Sequence, residues 1–155
     1  MCFHIGFFPE DLLVMELKAV QVSLHCVQAY GHLRDYLARL PANEAPPRVM
    51  LHSYGGSPDM VKSFTSLPHS LYFSFSSVLC AKSPKKAAQR VAAVPDDRLL
   101  LETDLSEVDC MNEALIDVAH FVADAKGWSV EHTVQQTWSN FETFFTFSAQ
   151  SKVPC

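Results

Sequence analysis

Four short apolar segments recur along the chain, and the stretches between them repeat apolar residues at helical spacing. The apolar segments cover residues 20–25, 48–53, 71–77 and 98–103. Each is brief, rich in valine, leucine or aromatic residues, and close to turn-forming residues, which is typical of buried β-strands. The pattern therefore predicts four strands separated by helices.

Helices are predicted after each of the first three strands. Apolar residues three or four positions apart run from Tyr30 to Leu40, where Pro41 ends the pattern. Serine–proline pairs at 57–58 and 83–84 have the composition of a helix N-cap followed by a first-turn proline. The helix that begins at 83–84 is expected to stop at Pro95.

Two further helices are predicted after the fourth strand. One begins at Asn112 and ends at Gly127, since glycine is common just past the end of a helix. The next begins at Ser129. Hydrophobic spacing predicts that the first of these helices buries Leu115, Ala119 and Val122, and that the second buries Val130, Val134, Trp138 and Phe141.

Alternating strands and helices predict an α/β fold with a parallel sheet, because parallel neighbours need a crossover connection of a dozen or more residues. The chain has 155 residues, a length that suits a single domain. The spacing does not distinguish an open sheet from part of a barrel.

Composition excludes several classes of protein. Hydrophobic residues make up 48% of the chain and charged residues 19%, which argues against disorder. No apolar run approaches the ~20 residues of a membrane span, and the first residues lack the basic flank of a signal peptide. The five scattered cysteines do not resemble a disulfide framework. We therefore expect no membrane association and a cytoplasmic location, with the nucleus as the alternative.

The net charge bears on nucleic-acid binding. A formal charge of −5 argues against a protein that grips nucleic acid through a basic surface. A nuclease remains compatible with this charge, because bound divalent metal ions supply positive charge locally.

Three of the four strands end near a side chain that can bind a metal. His25 and His52 end the first and second strands, and Asp104 follows the fourth. The carboxyl ends of parallel strands line the ligand site in α/β proteins, so these side chains are expected to converge. Imidazole and carboxylate groups are ligands of zinc and related divalent ions, which activate water. The alternative is that each histidine is an ordinary half-buried, hydrogen-bonded residue.

These strand ends lie within a longer resemblance. From about residue 20 to residue 145 the chain resembles the C-terminal half of TatD-type metal-dependent hydrolases, in the amidohydrolase-like superfamily; residues 1–19 form a divergent lead-in. The segments that carry the resemblance are VSLHC (22–26), VMLHSYGGS (49–57), LYFSFSSVL (71–79), VPDDRLLLETD (94–104) and TWSNFETFF (137–145).

The resemblance implies a fold and a chemistry. Members of the family fold as a TIM-like (β/α)₈ barrel and hydrolyse phosphodiesters, often in DNA, with two divalent metal ions. The four units of this chain would correspond to strands five to eight, a partial barrel. His25, His52 and Asp104 then correspond to metal ligands (Mg, Mn or Zn), and Asp104 also to the catalytic residue that takes a proton from water. Glu102 is expected to support the site from a position that points elsewhere.

The chain also departs from the family pattern. A His-x-His pair and a glutamate from earlier strands complete the family's site, whereas His4 is followed by Ile5, and Glu10 and Glu16 lie in an apparent helix. A full barrel takes about 250 residues. We therefore expect one metal ion or none, and weak or no hydrolysis by this chain alone.

Three functions remain open from the sequence. The first is a TatD-type hydrolase with nucleic acid as its substrate. The second is a catalytically inactive fragment that acts as an interaction module or forms a homo-oligomer through the exposed face of the half-barrel. The third, a metal-free domain of flavodoxin-like shape, is disfavoured because no glycine-rich phosphate loop opens a helix.

Overall fold

A computed structural model of the chain describes residues 21–41, 43–106 and 108–146. The expectations for His4, Glu10 and Glu16 lie outside these residues. All four predicted strands are present, shortened by one or two residues at their ends: β1 (Val22–His25), β2 (Val49–His52), β3 (Leu71–Ser76) and β4 (Leu99–Glu102).

The four strands form one parallel sheet in the order β1-β2-β3-β4. Each strand therefore lies beside the next strand in the sequence, as in a sector of a (β/α)₈ barrel. The register places His25 beside His52 and Ser76 beside Glu102. This α/β arrangement confirms the predicted fold class.

Within the described residues, six helices connect or follow the strands. They are α1 (Tyr30–Arg39), α2 (Pro58–Thr65), α3 (Ser77–Lys82), α4 (Pro84–Ala93), α5 (Met111–Lys126) and α6 (Val130–Phe145). Helix α3 was not predicted from the sequence, and α5 begins one residue before the expected Asn112. Three-residue 3₁₀ turns precede β4 and α5.

Several helix ends are fixed by the residues that the sequence indicates. The Ser57 side chain accepts a hydrogen bond from Met60 N at the start of α2, and Gly127 ends α5 with a φ of 68°. Ser83 precedes α4, but its side chain makes no capping hydrogen bond. Of the predicted serine–proline pair at 83–84, only the proline, at the first position of α4, therefore acts as a helix-start signal.

The two faces of the sheet have different surroundings. Leu51, Phe73 and Leu99 point to one face, where they form the main core with buried residues of α1 to α5. Tyr72 and Leu100 point to the other face and pack with Phe144 of α6. Because side chains alternate along a strand, His25, His52 and Glu102 belong to this second face, the inner face of the sheet.

The predicted buried face of α6 is wrong. Val134, Trp138 and Phe141 are 51%, 59% and 44% exposed, and Val130 is only partly buried. The buried residues of α6 are instead Thr133, Thr137, Asn140 and Phe144. Leu115 of α5, also predicted to be buried, is 41% exposed, although Ala119 and Val122 are buried as expected.

Hydrogen bonding explains why the polar face of α6 can be buried. Asn140 Nδ2 donates to the carbonyl oxygens of Asp96 and Leu99, at 2.7 and 2.8 Å. Thr137 Oγ1 donates to Thr133 O at 2.8 Å. These side chains satisfy buried polar groups at the start of β4 and within α6, which a hydrophobic face could not do. Hydrophobicity alone does not reveal such partners.

None of the helices in the described part of the chain has both the length and the apolar character that a membrane crossing needs.

Candidate functional site

The site lies at the carboxyl edge of the sheet and is built around His52. His52 is the last residue of β2 and its side chain is 15% exposed. Its Nδ1 lies 2.5 Å from Glu102 Oε2, and its Nε2 lies 3.2 Å from Asp104 Oδ1. Both ring nitrogens of His52 therefore contact carboxylates, one from Glu102 at the end of β4 and one from Asp104 just after it.

Glu102 is held at this position by a second contact. Its Oε1 accepts a hydrogen bond of 2.7 Å from the backbone N–H of Ser53, and its side chain is 16% exposed. The expectation that Glu102 points elsewhere is wrong. Strand alternation could have indicated this direction, because Glu102 shares the inner face of the sheet with Leu100, two residues earlier in β4.

Asp104 approaches His52 from a sharp turn after β4. Its backbone has a φ of 58°, in the left-handed region that residues other than glycine rarely adopt. Ser53 and Gln28, which follow β2 and β1, have φ values of 45° and 58°. Positive φ values therefore occur after three of the four strands. Such backbone strain is typical of positions where side-chain placement matters for function.

The two carboxylates increase the proton affinity of His52. The hydrogen bond to Glu102 raises the pKa of His52 above its ordinary value, and the negative charges of Glu102 and Asp104 add to the increase. Burial of the ring acts in the opposite direction, because it disfavours the charged imidazolium. The net effect is a histidine that retains its proton to higher pH than an exposed one.

His25 completes the predicted trio. Its ring centroid lies 5.6 Å from that of His52, with the ring planes inclined by 47°. The register of β1 and β2 explains this proximity, because the two histidines are direct neighbours in the sheet. The structure thus brings His25, His52 and Asp104 to the same edge. Their roles as metal ligands and catalytic residue stay predictions.

The arrangement can be compared with what a divalent ion requires. Imidazole nitrogen and carboxylate oxygen are suitable donors for zinc, manganese or magnesium. Across the described ranges, however, no three or more His, Cys, Asp or Glu side chains are grouped so that they could hold a metal ion. In this structure His52 and Asp104 contact each other. The donor types fit a metal site, but the described positions do not complete one.

The turn after His52 is shaped by two tyrosines. Tyr54 is fully buried, and its hydroxyl donates to Ser57 O at 2.9 Å. Tyr30 OH accepts a 3.0 Å hydrogen bond from Gly55 N. A Cβ atom on Gly56 would lie 2.4 Å from Tyr54 OH, so only glycine fits there. These contacts fix the path of the chain immediately after the site.

Comparison with protein families supports the likeness seen in these motifs. A family model described as TatD related DNase matches residues 15–146, which is most of the chain. The chain belongs to the TatD family. The family is one of metal-dependent hydrolases, which implies divalent metal ions for its members.

Two curated TatD-family relatives illustrate the range of similarity. The Cut9-interacting protein scn1 of Schizosaccharomyces pombe is 29% identical over 151 residues, an alignment that covers 79% of this chain and 45% of scn1. An uncharacterized metal-dependent hydrolase of Haemophilus influenzae is 26% identical over 98 residues, covering 63% of this chain and 36% of that protein. This TatD chain therefore spans less than half the length of these two relatives.

Solved structures show the same fold. A TatD homologue from Escherichia coli superposes with a TM-score of 0.64 at 22% identity, covering 81% of this chain and 49% of that one. A TatD-family hydrolase from Entamoeba histolytica gives a TM-score of 0.67 at 16% identity, covering 83% and 51%. At these identities the likeness shows the fold, and the four-stranded sheet is compatible with half of a TatD barrel.

Proposed function

We propose that the carboxyl edge of the sheet is part of a site that hydrolyses phosphodiester bonds, with nucleic acid as the substrate. The observation that carries the proposal is the contact between His52 and Asp104, 3.2 Å apart at the strand ends of a TatD-family chain. Hydrolysis is stated here as a proposal because the chain spans only part of the length of its relatives.

In this proposal Asp104 accepts the proton of the attacking water. Its side chain is 39% exposed, so water and substrate can reach the carboxylate. His52 is more enclosed, and the contact with Glu102 orients its ring. The ring therefore has a fixed position beside the Asp104 carboxylate. A divalent ion such as Mg²⁺, Mn²⁺ or Zn²⁺ supplies Lewis-acid chemistry when bound, and His25, His52 and Asp104 are its proposed ligands.

Replacing the proposed base tests this function. We expect Asp104→Asn to reduce cleavage of a labelled DNA oligonucleotide about 10²–10⁴-fold in Mg²⁺ or Mn²⁺, because an amide cannot accept the proton. Chelation of the metal should abolish cleavage by the unaltered chain. Asp97→Asn is the matched control, since Asp97 is exposed and precedes β4 at the opposite end of that strand.

The outcome separates three cases. Loss of cleavage in Asp104→Asn with retention in Asp97→Asn supports the proposed base. Cleavage that persists in Asp104→Asn removes Asp104 from the reaction. An unaltered chain that cleaves nothing in either Mg²⁺ or Mn²⁺ favours the second candidate function.

The second candidate is an interaction module that pairs with another copy of this chain. An apolar groove of about 600 Å³ lies between α5, α6 and β4 and includes Ile116, Trp138 and Phe141 in its lining. In the described part of the chain, β4 pairs only with β3, so one side of β4 has no strand partner. Unpaired strand edges and apolar patches are common sites of association.

The name of one relative also favours a binding role. The fission yeast protein is called Cut9-interacting protein, which describes an interaction of that protein. By extension we propose that partner binding can accompany or replace hydrolysis in this chain. A cytoplasmic location, with the nucleus as the alternative, belongs to the same proposal, and the scattered spacing of the five cysteines supports it.

A further inference from the structure

We infer that Glu102 is a positioning residue that fixes the ring of His52 and keeps its proton on Nδ1, so that Nε2 faces Asp104. The inference rests on the proposed function, because it gives a role to a neighbour of the proposed site. It adds a residue that was expected to point away from the site. Three features of the structure carry it.

The first feature is the use of both Glu102 oxygens. Oε2 lies 2.5 Å from His52 Nδ1, and Oε1 accepts a 2.7 Å hydrogen bond from Ser53 N. An ionised carboxylate only accepts hydrogen bonds, so each contact needs a hydrogen on its partner. The backbone of Ser53 always provides one. His52 provides one only when Nδ1 is protonated.

The second feature is the difference between the two carboxylate contacts of His52. Asp104 Oδ1 is 3.2 Å from Nε2, whereas Glu102 Oε2 is 2.5 Å from Nδ1. The contact to Glu102 is the shorter and less exposed of the two. When the neutral ring carries a single proton, that proton is therefore held best on Nδ1, which leaves the lone pair of Nε2 directed toward Asp104.

The third feature is a buried layer of serines behind this contact. Ser53 N also donates to Ser74 Oγ at 3.2 Å, and Ser53 Oγ lies 2.8 Å from Ser76 Oγ. Ser74 and Ser76 are fully buried. Ser76 Oγ in turn accepts a hydrogen bond from Leu79 N at the start of α3. Buried partners hold Ser53 in its positive-φ conformation, so the group that anchors Glu102 is itself fixed.

This arrangement makes glutamine an informative replacement for Glu102. Glutamine has nearly the shape of glutamate but offers one acceptor oxygen and one donor amide. Both contacts of Glu102 require acceptors, so glutamine can satisfy only one of them without changing the ring. In Glu102→Gln the side-chain oxygen would accept from Ser53 N, and the side-chain amide would donate to His52 Nδ1. The proton of the neutral His52 ring then moves to Nε2.

The test reads the tautomer of His52 directly. The full chain is labelled with ¹⁵N-histidine, stripped of metal with a chelator and measured by long-range ¹H–¹⁵N spectroscopy at alkaline pH, where the ring is neutral. A His52→Gln spectrum assigns the signals. We expect the Nδ1–H pattern in the unaltered chain and the Nε2–H pattern in Glu102→Gln. Cleavage by Glu102→Gln should fall about 10–100-fold, as is typical when a partner that orients a histidine is removed.

Asp104→Asn is the matched control for the spectrum. Its amide can donate to Nε2, so this variant should keep the Nδ1–H pattern even though its hydrolysis is lost. An Nε2–H pattern in the unaltered chain would overturn the inference whether or not Glu102→Gln folds. An unchanged Nδ1–H pattern in a folded Glu102→Gln would also overturn it. A tautomer switch in Glu102→Gln together with full cleavage by Asp104→Asn would reject the proposed function and leave the positioning role intact.

Discussion

At the scale of single residues, the site depends on which atoms the strand ends bring into contact. His52 lies between two carboxylates, and the shorter contact is to Glu102, a residue that the motif alone suggested only as a supporting one. Alternation along β4 places Glu102 on the inner face of the sheet, whereas Asp104 reaches His52 from the positive-φ turn that follows the strand.

The burial of Cys80 leads to a prediction at the residue scale. Cys80 is 5% exposed, and burial raises its pKa to about 11. Because the thiolate is the form that reacts with iodoacetamide, we expect slow alkylation of folded Cys80 near neutral pH and faster alkylation as the pH rises toward 11. Cys110 is exposed and should be modified before Cys80.

Peptide mass spectrometry after timed alkylation checks this order. The sign of the pKa shift also predicts a stability effect: the folded chain disfavours the thiolate, so stability decreases as the pH rises above the ordinary thiol range. Equal alkylation rates for Cys80 and Cys110 in the folded chain would contradict the buried placement of Cys80.

At the scale of elements, the turn from β2 into α2 shows how the chain leaves the site. Gly56 is buried against the ring of Tyr54, which anchors the turn through its hydroxyl. The serine–proline start of α2 was readable from the sequence, since it depends on local hydrogen bonding. Position 56 requires glycine because the side chain of Tyr54 folds back onto the turn.

Alanine substitutions at two glycines test this difference. Gly56→Ala places a Cβ 2.4 Å from Tyr54 OH, and we expect it to lower the free energy of unfolding by about 1–3 kcal/mol. Gly31→Ala is the control: it lies in α1 with no heavy atom within 4 Å of the added Cβ. It should raise stability by about 0.5–1 kcal/mol through helix propensity. Urea denaturation measures both, and a neutral Gly56→Ala would contradict the packing of Tyr54.

At the element scale, the prediction that differs most from the structure is the orientation of α6. Its most apolar residues, Val134, Trp138 and Phe141, face the groove and are exposed, while Thr137 and Asn140 are buried. The expectation that a helix buries its most hydrophobic face is wrong where the element packed against it has backbone carbonyls that need hydrogen-bond donors. The amide of Asn140 meets that requirement at the start of β4.

At the scale of the whole molecule, the sheet is compatible with a sector of a TatD barrel. Strands in sequential order with α1 to α5 on one face leave the inner face partly covered by the end of α6. An apolar groove lies beside β4 and is lined by residues of α5 and α6. Its exposed side chains make association of two copies the interaction that we propose.

Association through the groove predicts a specific effect of surface substitutions. Ile116 is 57% exposed in the groove, so we expect Ile116→Ser to weaken concentration-dependent self-association at least tenfold, with stability changed by only about 0.5 kcal/mol. Val78, 50% exposed on α3, is outside the groove, and Val78→Ser is the matched control. Analytical ultracentrifugation measures both. A monomeric unaltered chain at high concentration, or equal weakening by both variants, would reject the proposed interface.

The sequence by itself determined the four strands, their class of fold and five of the six helices found among the described residues, because these depend on hydrophobic periodicity and local capping. It also indicated His25, His52 and Asp104 as neighbours, since the carboxyl ends of parallel strands share one edge of a sheet. Only the tertiary structure decided that Glu102 contacts His52 and that α6 buries its polar face. Those outcomes depend on register and on hydrogen-bond partners that lie about 40 to 50 residues away in the chain, and hydrophobic periodicity carries no information about them.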